Sequence, residues 1–79
     1  MTRLKFLELL RKRLNGIPKD DIDKTIEYYK EILSDKVDDG MSEEEAIRSL
    51  GDIDSIVDLT ISEIPLNKLI KARLGLNEK

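Results

Sequence analysis

The sequence contains no cysteine, no histidine and no tryptophan. Without cysteine there is no disulfide and no thiolate ligand, which fits a reducing compartment. Without histidine the chain lacks the commonest general base and the commonest neutral metal ligand. The aromatic residues are Phe6, Tyr28 and Tyr29. No stretch approaches the roughly 18 apolar residues of a membrane span. Glu8, Arg11, Lys12 and Arg13 break up the apolar residues near the N-terminus, so that region does not read as a secretory signal.

Charge, in contrast, is abundant. Charged residues make up 39% of the chain, against roughly 25% in ordinary globular domains. The net charge of −3 hides segregation. Residues 1–19 carry six basic and one acidic side chain, residues 20–63 four basic and fifteen acidic, and residues 64–79 four basic and one acidic. Two basic ends therefore flank an acidic middle. Either the ends lie against the acidic helices within the fold, or a basic end faces an anionic surface such as membrane lipid.

At 79 residues the chain is one domain with a modest core. A first helix runs from Thr2, a plausible N-cap, to Leu14. Phe6, Leu7, Leu10 and Leu14 fall on one face, Leu9 widens it, and Lys5, Glu8 and Lys12 lie opposite. Asn15-Gly16 ends it, with Gly16 suited to a left-handed conformation. A second helix starts near Pro18 or Lys19 and continues to about Asp38. Asp20, Asp21 and Asp23 suit the positive end of its dipole. Ile22, Ile26, Tyr29, Leu33 and Val37 form its main stripe, which Tyr28 and Ile32 broaden to about half the circumference. Such a wide apolar face predicts the central helix of a bundle.

Gly40 breaks the second helix, and Met41 is placed to staple the start of the third. Residues Ser42–Leu50 spell out that helix completely. Ser42 and Glu45 form a capping box, Ala46, Ile47 and Leu50 make the apolar face, and Gly51 stops it. Asp52 then caps a fourth helix that runs to about Glu63, with Ile53, Ile56, Val57, Thr60, Ile61 and Ile64 on its buried side. After Pro65, the residues Leu66, Leu69, Ile70 and Leu74 recur at helical spacing with Lys68, Lys71 and Arg73 between them. They predict a short basic amphipathic helix ending at Gly75, with residues 77–79 frayed.

These residues carry a family resemblance. Phe6-Leu7, Leu10 and Leu14 are followed by Pro18, then by Tyr28-Tyr29, Glu31-Ile32 and Asp35 on a long helix. Gly40, Ser42-Glu43-Glu44-Glu45-Ala46-Ile47 and Leu50-Gly51 complete the pattern. Over about residues 4–61 the chain resembles the HAAS family, the helix-turn-helix-associated alpha-helical signalling domain. The resemblance implies a cytosolic helical domain at the N-terminus of bacterial, often membrane-anchored, proteins. It also implies association with DNA-binding regulators of the PadR type, and it brings no catalytic or cofactor residues. Nothing after residue 64 can span a membrane. The chain thus departs from the usual architecture, as a cut fragment of a longer protein or as a soluble stand-alone member.

Three chemical readings fail on the residues. Asp35, Asp39 and Gly40 match positions of a calcium-binding loop, but Val37 and Ala46 stand where two of its ligands belong. The third and fourth helices could form a helix-turn-helix, but the polar side of the fourth holds Asp52, Asp54, Asp58 and Glu63, which would repel phosphate. Asp38-Asp39 and Glu43-Glu44-Glu45 are paired carboxylates, yet no nucleophile, histidine or phosphate-cradling loop accompanies them.

The expected fold is all-α: a small bundle of four helices plus a short C-terminal fifth, with helix 2 central. Residues 1–64 form the helical domain and residues 65–79 the basic amphipathic helix and tail. The expected function is a non-catalytic, cytosolic signalling or protein-interaction domain without cofactor or metal. Its expected partner is a protein, such as a PadR-type regulator, and no direct contact with nucleic acid is expected. The candidate partner surface comprises Tyr28, Ile32, Leu66, Leu69, Ile70 and Leu74, and self-association through residues 65–76 is a further option. The alternative is a membrane-proximal module at the inner face of the membrane, with Lys68, Lys71 and Arg73 on an anionic surface.

Overall fold

A computed structural model describes residues 1–73, with side chains described as far as Leu69. Five helices follow one another: α1 (Arg3–Arg13), α2 (Lys19–Asp38), α3 (Glu43–Ser49), α4 (Ile53–Ser62) and α5 (Leu66–Arg73). No strand occurs among the described residues, so the fold is all-α. Leu74, the stop at Gly75 and residues 77–79 lie outside the described residues.

The helix boundaries follow from local chemistry. Thr2 caps α1, its hydroxyl accepting from the Lys5 N–H at 3.2 Å. Ser42 and Glu45 form the expected reciprocal capping box at the head of α3, at 3.1 and 3.2 Å. Asp52 occupies the N-cap position of α4, but its side chain bonds no backbone amide. Its carboxylate instead lies 3.5 Å from the Ser55 hydroxyl.

The end of α2 is a Schellman motif. The Gly40 N–H donates to the Val37 carbonyl at 3.0 Å, and the Met41 N–H to the Lys36 carbonyl at 3.1 Å. That pairing requires a left-handed residue at Gly40, whose φ is +108°. A Cβ placed there meets nothing within 4 Å, so any cost of a side chain is purely conformational. Asp35 lies within regular α2 and Asp39 is its C-cap, so these acids belong to a helix and its end.

α1 packs against α2, α3 and α4, and α2 packs against α1 and α3. The long second helix therefore shares the centre with the first. The reason is α1's inner face: Phe6, Leu10 and the cap residue Leu14 are fully buried. They meet Ile26 and Leu33 of α2, Ala46 of α3 and Ile56 of α4 in one core. Ile17 and Pro18, in the α1–α2 connection, are buried as well and seal one end. Leu7, Ile22, Tyr29, Val37, Ile47, Leu50, Ile53, Val57, Ile61, Ile64 and Leu69 pack around this centre at partial burial. Thr60 is the only buried polar residue among those described, and its hydroxyl donates to the Ile56 carbonyl at 2.8 Å.

Two substitutions separate packing from backbone conformation. Leu33→Ala leaves a cavity at a fully buried site and is expected to cost about 2–5 kcal/mol. Gly40→Ala meets no neighbour and is expected to cost only about 1 kcal/mol, from the left-handed backbone alone. Urea unfolding followed by circular dichroism checks both; equal losses would contradict this division.

Candidate protein-interaction surface

A face of α2 and a face of α4 leave a groove between them. On α2 the spacing of Asp21, Thr25, Tyr28 and Ile32 keeps these residues on one side. The Thr25 hydroxyl donates to the Asp21 carbonyl at 2.8 Å and holds the first of these turns. Lys24, Thr25, Tyr28 and Tyr29 line one wall, and Leu59, Thr60 and Glu63 the other, around about 400 Å³. Tyr28 is 60% exposed and Leu59 is 54% exposed.

The tyrosine pair divides its work. Tyr29 is partly buried against the core. Tyr28 stands on its edge, with ring centroids 5.0 Å apart and planes at 80°. Adjacent helical residues point about 100° apart, so one ring can face the core only if the other leaves it. Burial lifts the Tyr29 phenol above its ordinary value, and the neighbouring Tyr28 and the Glu63 carboxylate push it the same way.

The basic ends pair with the acidic middle across helices. Arg11 meets Asp23 of α2 at 3.0 Å, and Arg13 pairs with Asp54 of α4. Arg3 is held twice by Glu43 of α3. Its backbone N–H donates to Glu43 Oε1 at 2.9 Å, and its guanidinium Nε lies 3.8 Å from Oε2. Glu43 thus caps the start of α1 from another helix. Lys68 of α5 lies 2.8 Å from Asp21 Oδ2. That oxygen is shielded from solvent and makes no hydrogen bond of good geometry, so the contact is an ion pair only.

The residues singled out from the sequence scatter over several surfaces. Tyr28 lies on the groove, and Ile32 is half-buried one turn further along α2, away from the groove lining. Leu66 is 71% exposed at the head of α5, whereas Leu69 packs on the core. Lys68 is engaged with Asp21. Ile70, Lys71 and Arg73 belong to α5, but their side chains lie outside those described, as does Leu74 altogether. Leu59 was not among the residues singled out. Its signal is legible: it is the one leucine of α4 off the stripe formed by Ile53, Ile56, Val57, Thr60 and Ile61.

Other surface depressions are also present. One is lined by Thr2, Arg3, Leu4, Leu7, Ser34 and Glu43 among others, and another lies on the outer face of α1 at Lys5, Glu8, Leu9, Arg11 and Lys12. Among the described residues no group of three or more aspartates or glutamates is arranged to hold a metal ion. Of the clustered carboxylates, Glu43 and Glu45 serve as helix caps. Among the described residues no helix is long and apolar enough to cross a membrane.

The capped, glycine-punctuated order of these helices defines a small all-α domain of a recognisable class. The HAAS family model matches residues 5–58, most of the chain, and the protein belongs to the HAAS family. Comparison with curated proteins and with solved structures returns no match. The matched span includes Tyr28 and ends one residue before Leu59, so the two walls of the groove fall on either side of its limit.

The raised Tyr29 phenol has a consequence for stability. Folding favours its neutral form, so this contribution is intact below the ordinary value of about 10 and is lost as pH rises beyond it. Stability of the wild type should therefore fall more steeply above that pH than stability of Tyr29→Phe. Urea midpoints at neutral and alkaline pH for both proteins check this; parallel declines would refute it.

Proposed function

We propose that this HAAS domain is a non-catalytic cytosolic signalling module that works by binding another protein across the α2–α4 groove. The observation supporting this is the pairing of Tyr28 with Leu59, both more than half exposed on opposite walls of one groove. An aromatic and a leucine held open to solvent at one place favour contact with a protein, because burying them on binding gains what folding left unused. Family membership supports a PadR-type transcriptional regulator as that partner. Contact with DNA then belongs to the regulator. The charged side chains of α4 are Asp54 and Asp58, which disfavour phosphate.

The test is a double variant, Tyr28→Ala with Leu59→Ala. Both residues are largely exposed, so the thermal midpoint should change little. Affinity for a PadR-type regulator, measured by calorimetry, should fall by about tenfold or more, as expected for central apolar anchors. A stable double variant that binds as tightly as wild type would reject the groove as the docking surface.

A second reading has its own observation. On the outer face of α1, Lys5 and Lys12 stand exposed beside half-buried Leu9, with exposed Leu4 nearby. None of these lysines is in an ion pair among the described residues. Such a face would suit the inner surface of an anionic membrane, each lysine contributing about 1 kcal/mol near the surface. Flotation with phosphatidylserine vesicles should then depend on lipid charge and be lost in Lys5→Glu with Lys12→Glu; flotation indifferent to both would dismiss it.

A further inference from the structure

The α1–α2 connection holds the one asparagine of this chain that a glycine follows, Asn15-Gly16. An asparagine loses its amide when the backbone nitrogen of the next residue attacks the side-chain carbonyl. Glycine, lacking Cβ, leaves that approach open. The nitrogen reacts once deprotonated, so a hydrogen bond that engages its proton slows the step. Asn15 is exposed. Gly16 has a φ of +96°, and its N–H donates to no backbone acceptor among the described residues. Its neighbours are engaged: the Asn15 N–H donates to the Lys12 carbonyl at 3.2 Å, and the Ile17 N–H to the Leu14 carbonyl at 3.1 Å. Two other junctions lack that freedom. Asp39-Gly40 is open to the analogous reaction of an aspartate, but its Gly40 N–H is taken by the Val37 carbonyl. Asn67 precedes Lys68, whose N–H donates to the Pro65 carbonyl at 3.0 Å. The fold thus engages the attacking nitrogen at those two junctions and leaves it open at Asn15.

We propose that Asn15 is a site of spontaneous deamidation, and that one of its two products weakens the domain at the α1–α2 connection. Hydroxide takes the Gly16 amide proton, and the nitrogen forms a bond to Asn15 Cγ. The Cγ–Nδ2 bond breaks and the amide leaves as ammonia, its added proton supplied by water. The cyclic imide then takes up water. Attack at Cγ gives aspartate. Attack at the main-chain carbonyl gives isoaspartate, in which the backbone runs through Cβ and Cγ and is longer by one carbon.

The connection has no room for that carbon. Leu14 before the junction and Ile17 after it are both buried members of the core, and Pro18 is buried next to them. The Ile17 N–H closes the turn on Leu14. A longer backbone between two such anchors displaces one of them or breaks the closing bond, and a close-packed interior feels either. Aspartate keeps the native backbone length. Its charge stands just beyond the last turn of α1, which carries Arg11, Lys12 and Arg13. The damage therefore follows from the isoaspartyl linkage and not from the new carboxylate.

The experiment ages the full chain at mildly alkaline pH, folded and in urea. Tryptic peptides 14–19 and 37–48 are then resolved by chromatography and mass spectrometry. Asn15 should deamidate about as fast in the folded chain as in the unfolded one, at a rate proportional to hydroxide. Isomerisation of Asp39, the internal control, should be several-fold slower in the folded chain. Equal protection of both sites by folding would overturn the assignment of Asn15. Urea unfolding of the aged protein tests the second half. Aged wild type should unfold at lower urea than fresh wild type, in proportion to its isoaspartate content. Asn15→Gln aged alongside should keep its midpoint, and fresh Asn15→Asp should match fresh wild type. Undiminished stability in isoaspartate-containing protein, equal weakening of aged Asn15→Gln, or an Asn15→Asp as weak as the aged chain would each overturn the role given to the longer backbone.

Discussion

Burial of one face of α1 is the constraint that the rest of this domain depends on. Phe6, Leu10 and Leu14 pass through the centre and are met by residues from α2, α3 and α4. Each such side chain contributes about 1.5–3 kcal/mol. The ion pairs that ring the same helix are partly exposed, and each is worth about 1 kcal/mol or less. Packing therefore decides that the bundle forms. The charges decide how it sits, because Arg3, Arg11 and Arg13 find acids on three different helices. The segregated charge of the sequence is in large part an assembly pattern: a basic first helix laid into an acidic frame.

That division explains which features could be read from the sequence. The capping box at Ser42 and Glu45, the Thr2 cap and the left-handed Gly40 are local, and each was legible because its partners lie within a few residues. The apolar stripes were legible because helical periodicity is local too. The Glu43 cap on α1 was not, since its two ends lie 40 residues apart. Nor was the equal standing of α1 at the centre. A narrow stripe can be surrounded as fully as a wide one if its residues are large and its neighbours short. Asp52 shows a different limit: it occupies the expected N-cap position of α4, but its side chain bonds no backbone amide.

The candidate surface divides along the same line. Tyr28-Tyr29 announced itself, because two adjacent aromatic residues cannot both face the core of a helix bundle. Leu59 became meaningful only once α4 was laid beside α2, when a leucine off its stripe proved to face an exposed tyrosine. The C-terminal residues behave differently from the rest of the set. Leu69 and Lys68 hold α5 to the bundle, whereas Leu66 stands free of it.

The cap that Glu43 places on α1 has a dynamic counterpart. α3 is seven residues long, well below the length of roughly 12 residues at which an isolated helix begins to hold in water. It persists because Ala46 is sunk in the core and because its first residue grips the first residue of α1. The head of α1 and the head of α3 are thereby joined directly although they lie 40 residues apart along the chain, so a local opening at either one breaks a contact of both.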